Sequence, residues 1–230
     1  MMDSSFSDIR DLRLFADMSD DSYSALMRGA YVQTFPPHLK LISEGDQSDF
    51  LHVLVSGVVE LFASWDGRET SMVMVKPVSA FILAATVRDE RYLMSAKTVE
   101  KSKIVLIPSQ DVRKIFDLDA GFARSVVVEL AASYRLMVKT SKNLKLRSSM
   151  ERLANYLLCR CHENGNGESF DLGLGKRQLA AFLGMTPENL SRNIKGLKPH
   201  GVTIFGDLVV ISSISKLEKF AKPDVLIDGN

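Results

Sequence analysis

The sequence predicts an α+β fold with three parts in chain order: an N-terminal β-roll, one long helix, and a C-terminal winged helix-turn-helix. Three observations predict it. Short β-rich runs cut by turn residues fill positions 31–108. A heptad-like apolar spacing then continues to about residue 146. Beyond residue 172, a short helix, a glycine and a helix that starts with proline follow one another.

The composition is that of a globular protein with a substantial core. The chain has 230 residues, of which 46% are hydrophobic and 25% are charged. Its 29 basic and 28 acidic residues give a formal net charge of +1, so the overall charge indicates neither nucleic acid nor membrane as a partner. The N-terminus carries acids where a secretory signal carries bases, and no apolar run approaches the ~18 residues of a membrane span. We therefore expect a soluble, cytoplasmic protein.

The cysteines indicate a reducing compartment and no metal cluster. The chain has two, Cys159 and Cys161, too few for an iron–sulfur cluster or a four-cysteine zinc site. Together with His162 they suggest a metal site, but residues two apart on a helix point in different directions and cannot share one ion. We interpret them as ordinary thiols.

The first predicted domain covers residues 1–118. Apolar spacing in residues 7–30 predicts short helices, and the β-rich runs that follow predict a closed or two-layered sheet structure. Asp66 and Gly67 separate two of these runs. They predict a two-residue hairpin, because a type I′ turn needs positive φ at both positions and glycine adopts it freely.

Residues 119–146 are predicted to form one long helix. An a/d spacing begins at Ala123, and the flanking positions are basic. One interpretation is a helix that lies on the β domain. We favour a two-chain coiled coil that joins a homodimer, because about three heptads outspan a small core. The residues predicted at the dimer seam are Val127, Leu130, Tyr134, Met137, Ser141 and Leu144.

Residues 147–230 are predicted to form a winged helix-turn-helix domain. The run "KRQLAAFLG" predicts a short helix that Gly184 ends with a left-handed turn. Thr186 is the predicted N-cap of the next helix, and Pro187 occupies its first position, where a missing N–H costs nothing. The run "VTIFGDLVVIS" then predicts the two strands of a wing.

The outward face of the second helix carries the residues predicted to contact DNA. Between residues 172 and 200 the chain has five basic side chains and one acidic, a local charge that favours phosphate contacts. Arg192 can bind guanine O6 and N7, and Glu188 can accept from cytosine N4. The full set predicted to bind DNA is Thr186, Pro187, Glu188, Ser191, Arg192, Lys195, Lys176, Arg177 and Lys198.

These motifs resemble those of the CRP/FNR superfamily of transcription regulators over nearly the whole chain. "LISEGDQSDFLHVLVSGVVELF" is similar to the family's β-roll, a jelly roll of the cyclic-nucleotide-binding kind. "LGMTPENLSR" is similar to the FNR-type recognition helix with its Glu-x-x-Ser-Arg pattern. The resemblance implies a homodimer on double-stranded DNA, an inverted repeat of TTGA-like half-sites, and RNA polymerase as a further partner.

Departures from the family pattern bear on the effector. Members that bind a cyclic nucleotide hold its phosphate with a glutamate and an arginine, where this chain has Ala84 and Met94 and retains only Ser95. A phosphate there would lack its charge partner, so we expect no cAMP binding. The N-terminal cysteine cluster of the iron–sulfur members is missing, so we expect no such cluster.

The run "FILAATVRDERYLMSAKTVEKSKIVLIPS" is similar to the DNR/NnrR branch, the nitric-oxide-responsive regulators of denitrification. Members of that branch are thought to sense through heme, so heme is the cofactor that the resemblance implies. Its axial ligand stays open. The four histidines are His38, His52, His162 and His200.

Two alternatives to this function stay open at this point. The same fold could bind another small effector, such as a cyclic nucleotide. A cupin-like metalloenzyme is the alternative from a different class, but its sites gather several histidines on adjacent strands, and this β region has only His38 and His52. We therefore expect a regulator and not an enzyme.

Overall fold

The computed structural model describes residue 6 and residues 9–229. The chain divides into two units between Ser133 and Tyr134, inside the long helix. The predicted boundaries lie after residues 118 and 146, whereas in the structure the first half of the helix packs with the N-terminal unit. Parts of the predicted first domain and of the predicted helices in 7–30 lie outside the described residues.

The N-terminal unit is a β-roll of two four-stranded antiparallel sheets with helices packed against it, and it confirms the predicted fold class. One sheet has the strand order β1-β8-β3-β6 and the other β2-β7-β4-β5. The elements are α1 (Arg13–Ala16), α2 (Asp20–Arg28), β1 (Tyr31–Phe35), β2 (Lys40–Ile42), β3 (Phe50–Ser56), β4 (Val59–Trp65), β5 (Arg68–Val75), β6 (Ser79–Phe81), α3 (Leu83–Arg88), β7 (Ser95–Thr98), β8 (Ser102–Pro108) and α4 (Ser109–Leu118).

Strand β3 shows how the sequence builds two layers of core. Leu51 and Val53 lie in the cluster under the helices, which also contains Phe122. Leu54 lies in the other cluster, between the sheets, with Leu61. A strand buried on both faces needs a continuous apolar run, and "FLHVLV" is nearly that.

The hairpin between β4 and β5 has the predicted turn. Asp66 has φ of 50° and Gly67 has φ of 71°, as a type I′ turn requires. Trp65 and Arg68 close the ladder on either side of it.

The long helix α5 covers Ala120–Leu146, within one residue of its predicted start and at its predicted end. Asp119 caps it by accepting a hydrogen bond from the Phe122 amide at 2.9 Å. Phe122 and Val126 are fully buried in the N-terminal unit, which fixes the direction of the first turns.

The C-terminal unit is a winged helix-turn-helix, as predicted. After the second half of α5 its elements are α6 (Ser149–Glu163), β9 (Ser169–Asp171), α7 (Lys176–Phe182), α8 (Pro187–Gly196), a 3₁₀ turn (Lys198–His200), β10 (Val202–Phe205), β11 (Leu208–Ile211), α9 (Ile214–Ala221) and α10 (Val225–Asp228). The three strands have the order β10-β11-β9. Strand β9 lies in the glycine-rich run of residues 162–175, and it pairs with β11 of the wing.

Candidate nucleic-acid interface

The turn between α7 and α8 has the geometry that its residues predict. Gly184 has φ of 63°, in the left-handed region that favours glycine. The Thr186 hydroxyl accepts from the Asn189 amide at 3.2 Å, and Pro187 is the first residue of α8. Both features confirm the predicted start of this helix.

One face of α8 is held by the core of the C-terminal unit. Leu190 and Leu197 are fully buried, and Ile194 packs against the same cluster. From α7, Leu179 and Ala180 are fully buried in that cluster too. The apolar stripe therefore determines which face of α8 is left to solvent.

All nine side chains predicted to bind DNA belong to exposed residues. Glu188 and Arg192 are four residues apart and share one face of α8. Lys176 and Arg177 open α7, whereas Lys198 follows α8. The exposed set also includes Thr186, Pro187, Ser191 and Lys195.

Two of these side chains have constraints that the sequence does not show. The Ser191 hydroxyl donates to the Pro187 carbonyl at 2.9 Å, so its only proton is used within α8 and its oxygen remains as an acceptor. Hydrogen bonds from its own amide and from the Thr186 hydroxyl hold the pKa of Glu188 below its ordinary value. Glu188 is therefore an ionised acceptor, as pairing with cytosine N4 requires.

Arg152 on α6 is a residue of this site that the sequence analysis does not single out. Its residue exposure is only 9%, and its guanidinium donates from Nε to the Leu183 carbonyl at 2.9 Å and from Nη2 to the Gly184 carbonyl at 3.1 Å. Both carbonyls lie at the C-terminal end of α7 and in the turn that follows it. A cation is favoured there, because the C-terminus is the negative end of the helix dipole. The signal in the sequence is a charge that directly precedes the buried Leu153 and Ala154.

The predicted dimer seam is only partly open to solvent. Val127, Tyr134 and Met137 are 59%, 71% and 58% exposed, although all three are apolar or aromatic. Leu130 differs, because it is half-buried and packs against the core of the N-terminal unit. The exposed apolar surface of α5 therefore excludes Leu130, and it extends beyond the predicted seam to Val128, Leu136 and Val138.

The last two seam residues lie in the C-terminal unit. Ser141 is half-buried. Leu144 lies against the helix-turn-helix, because a Cβ added at Gly184 would come within 2.7 Å of its Cδ2 atom. Leu144 therefore contacts the turn before α8 within its own chain.

The positions that hold a cyclic phosphate in the family offer no positive charge here. Ala84 is exposed on α3, and Met94 is half-buried against the cluster between the sheets. The Ser95 hydroxyl accepts from the Glu44 amide at 3.0 Å, so it ties β7 to the turn that follows β2.

The histidines do not form a pocket for heme. His52 is 6% exposed and its ring lies 5.2 Å from that of Phe81, so a porphyrin would have to displace this packing. Burial lowers the pKa of His52 to about 4, and its Nδ1 has no hydrogen-bond partner among the described residues. His38 and His162 are exposed, and His200 stacks on Phe220 at 4.1 Å. Within the described part of the chain, no three metal-binding side chains cluster.

Helix α3 is joined to α4 through one arginine. Arg113 donates to the Thr86 carbonyl at 3.1 Å and forms an ion pair of 3.1 Å with Asp89, which follows α3. A cleft of about 500 Å³ opens beside this junction, with Tyr31 and Phe50 in its wall. None of the four histidines lines it. The junction connects the helix next to the family's effector position with the helix that leads into α5.

Comparison with known proteins assigns both units. Residues 32–119 match the cyclic nucleotide-binding domain family, and residues 151–220 match the Crp-like helix-turn-helix domain family. No described helix has both the length and the apolar character needed to pass through a bilayer.

Curated relatives and solved structures agree with this assignment. A probable transcriptional activator of Rhizobium leguminosarum bv. viciae is 25% identical over 78% of this chain and 77% of its own length. The nitrogen fixation regulation protein FixK of Azorhizobium caulinodans is 25% identical over 73% of this chain and 68% of its own. A CooA mutant of Carboxydothermus hydrogenoformans shares the fold, with a TM-score of 0.71, 17% identity, and coverage of 86% of this chain and 91% of that one.

A cyclic-nucleotide-binding-type domain followed by a Crp-like helix-turn-helix defines a DNA-binding transcription regulator, and not an enzyme. This chain belongs to the CRP/FNR family of such regulators. Members of the family bind DNA and typically act as dimers.

Proposed function

We propose that this regulator binds, as a homodimer, an inverted repeat of TTGA-like half-sites, and that nitric oxide or related nitrogen oxides control it in the regulation of denitrification genes. The proposal of DNA binding rests on one observation, the division of α8 into a buried and an exposed face. Its apolar stripe is buried, while Glu188, Ser191 and Arg192 are exposed together at its start.

The proposed contacts follow from the chemistry of each group. Arg192 binds a guanine through O6 and N7, and the ionised Glu188 accepts from a cytosine N4 amine. Thr186 and Ser191 support base or phosphate contacts. The phosphates are bound by Lys176, Arg177, Lys195 and Lys198.

A dimer places these contacts twice on one duplex. The exposed Val127, Tyr134 and Met137 give α5 an apolar surface that a second copy would bury. Two-fold symmetry then requires half-sites about one helical turn, or ~34 Å, apart. RNA polymerase is the proposed partner at the promoter.

The proposed control is allosteric. An effector in the β-roll that moves α3 would also move α4, because Arg113 joins them, and α4 leads directly into α5. Such an effector acts only as far as it binds one dimer arrangement more tightly than the other. The heme that the resemblance implies does not fit the histidines in this arrangement, so no step of this mechanism runs through it.

The test combines DNA binding with spectroscopy. Gel-shift titrations compare a duplex that carries a TTGA inverted repeat with one in which both half-sites are scrambled, under anaerobic conditions with and without nitric oxide. We expect selective binding that nitric oxide changes. Absorption spectra of the anaerobic protein, with and without added heme, report whether heme binds at all. Equal affinity for both duplexes under every condition would contradict the proposal.

A cyclic nucleotide is the alternative effector, because residues 32–119 match the cyclic nucleotide-binding domain family. Ala84 and Met94 argue against it, since neither neutralises a phosphate. Calorimetry with cAMP and cGMP distinguishes the two, and binding of either would replace the nitrogen-oxide proposal.

A further inference from the structure

The chain between α5 and α6 is held by an ion pair with α10. Arg147 directly follows α5, and its side chain is only 7% exposed. Its Nη1 and Nη2 bind the two carboxylate oxygens of Asp228 at 2.6 Å each, and Nη1 also donates to Asn143 Oδ1 at 3.2 Å. Bidentate arginine–carboxylate pairs are short and directional. The Arg147 side chain therefore has a defined position.

Asp228 is itself held in place. Its Oδ2 accepts from the Asp224 amide at 2.8 Å, at the start of α10. The next residue, Gly229, accepts a hydrogen bond from Lys139 on α5. The carboxylate therefore reaches Arg147 from a helix that is anchored at both ends.

The backbone of Arg147 carries this connection to the helix-turn-helix. Its carbonyl accepts from Arg152 Nη1 at 2.9 Å, while the same guanidinium binds the Leu183 and Gly184 carbonyls. The three bonds use three different nitrogens of Arg152, so they hold at the same time. A shift of the Arg147 carbonyl would therefore move the Arg152 guanidinium and disturb its hydrogen bonds to the Leu183 and Gly184 carbonyls, which hold the turn before α8.

We propose that Asp228 is a positioning residue for DNA binding: through Arg147 and Arg152 it fixes the turn before α8 without touching DNA. The proposal rests on α8 as the DNA-reading helix and deepens that function. It assigns a role in affinity to a residue outside the DNA-binding set.

If electrostatic repulsion were the only effect, loss of the Asp228 charge would change DNA affinity in the opposite direction. Removal of a negative charge from a DNA-binding unit should leave DNA affinity unchanged or raise it, because less charge repels the phosphates. If Asp228 positions the turn, the same removal lowers the affinity. Glu218 provides a matched control, because it is an exposed acid on α9 of the same unit and lies outside this network.

The experiment uses the full chain and fluorescence anisotropy with a labelled TTGA inverted-repeat duplex. We expect Asp228→Asn to weaken binding about tenfold and Glu218→Gln to leave it unchanged or slightly stronger. The slope of log K against log salt should stay at the wild-type value in Asp228→Asn, because no phosphate contact is lost. Arg147→Met combined with Asp228→Asn should be no weaker than Arg147→Met alone, and Asp228→Glu should recover part of the affinity.

Circular dichroism in the same buffer measures the folded fraction of each variant. A loss of affinity that only tracks unfolding, or wild-type affinity in Asp228→Asn, would overturn the positioning role. Failure of the proposed half-site is a separate outcome. If wild-type protein ignores the TTGA duplex, a duplex selected from a random pool replaces it, and the same variants are then compared on that duplex.

Discussion

At the scale of single residues, Arg192 is the side chain that most directly determines sequence preference in this proposal. It is exposed in the second turn of α8, on the face opposite the buried Leu190. We expect Arg192→Ala to cost about 1–3 kcal/mol at the cognate site and to relax the preference at one base pair, because a bidentate pair with guanine is lost. Gel-shift titrations on half-sites varied one base at a time measure both effects.

The control for this change is Lys198→Ala. Lys198 is also exposed but is proposed to bind a phosphate, so its loss should weaken binding equally on all sequences and lower the salt slope by about one. If Arg192→Ala behaved in that same uniform way, its base-reading role would be wrong.

The residues that form the turn before α8 were easier to predict than Arg152, which holds this turn from another helix. Thr186, Pro187 and Gly184 follow from local rules of capping and backbone conformation, and the structure has them as predicted. Arg152 does not follow, because two of the three carbonyls that it binds lie about thirty residues further along the chain. Local sequence cannot show that such a distant turn needs a cation.

At the scale of elements, the start of α5 depends on one carboxylate. Asp119 accepts from the Phe122 amide at 2.9 Å, from the Ser19 amide at 3.1 Å and from the Ser19 hydroxyl at 2.8 Å. These hydrogen bonds, that of the Phe122 amide first, hold the pKa of Asp119 well below its ordinary range. The charged form is therefore favoured by folding, and it ties α2 to α5.

We expect Asp119→Ala to lower the free energy of unfolding by about 1–2 kcal/mol at neutral pH, as for other lost caps. A depressed pKa stabilises the fold above the unfolded value of about 4, and this contribution is lost as the pH falls below it. The difference between wild type and variant should therefore shrink on acidification. Urea unfolding measured from pH 7 downward tests this, and a difference that grows at low pH would contradict it.

Gly121 shows that a helical glycine can be required by its surroundings. A Cβ built on it would lie 2.0 Å from the backbone oxygen of Asp17. Glycine to alanine normally stabilises a helix by up to about 1 kcal/mol, but here we expect Gly121→Ala to destabilise the N-terminal unit. Thermal unfolding followed by circular dichroism measures the sign.

Gly196 on α8 is the matched control for this change. Its added Cβ would meet the Met150 sulfur at 2.7 Å, the end region of a flexible side chain that can move away. Gly196→Ala should therefore cost less than Gly121→Ala. Equal melting temperatures for the two variants would show that the close approach to Asp17 has no energetic weight.

Element prediction succeeded where the pattern was long and failed where pairing was distant. Helix α5 has 27 residues of periodic sequence, and its predicted bounds agree with the structure within one residue. Strand β9 has three residues, and Phe170 pairs with Val209 on a strand far along the chain. A strand this short has too little pattern to be predicted without its partner.

At the scale of the whole molecule, the α+β class and the order of β-roll, long helix and winged helix-turn-helix follow from the changes of periodicity along the chain. The division between the two units, inside α5, does not follow from the sequence. Periodicity shows which face of a helix is apolar, but it does not show against which core each turn packs. Leu130 illustrates this: its a/d position predicts the dimer seam, yet it packs against the N-terminal core. The seam beyond it is where a dimer can be tested.

Tyr134 and Met137 are the residues of α5 at which the dimer contact can be broken. They are 71% and 58% exposed on α5, and a second copy would bury them. We expect the double change Tyr134→Glu with Met137→Glu to shift sedimentation from dimer to monomer, because four buried charges would face one another in each dimer. Ala132→Glu is the control, since Ala132 is exposed on the opposite face of the same helix and should leave the dimer intact.

DNA binding should follow the oligomeric state. A dimer binds both half-sites of an inverted repeat, so loss of the second contact should weaken binding of the full site by at least about a hundredfold. Affinity for a single half-site should change much less, because Arg192 and its neighbours on α8 are far along the chain from the altered residues. Sedimentation and anisotropy on the same samples test both statements. A variant that sediments as a dimer, or a monomer that keeps wild-type affinity for the full repeat, would contradict the role of α5 in presenting two α8 helices to one duplex.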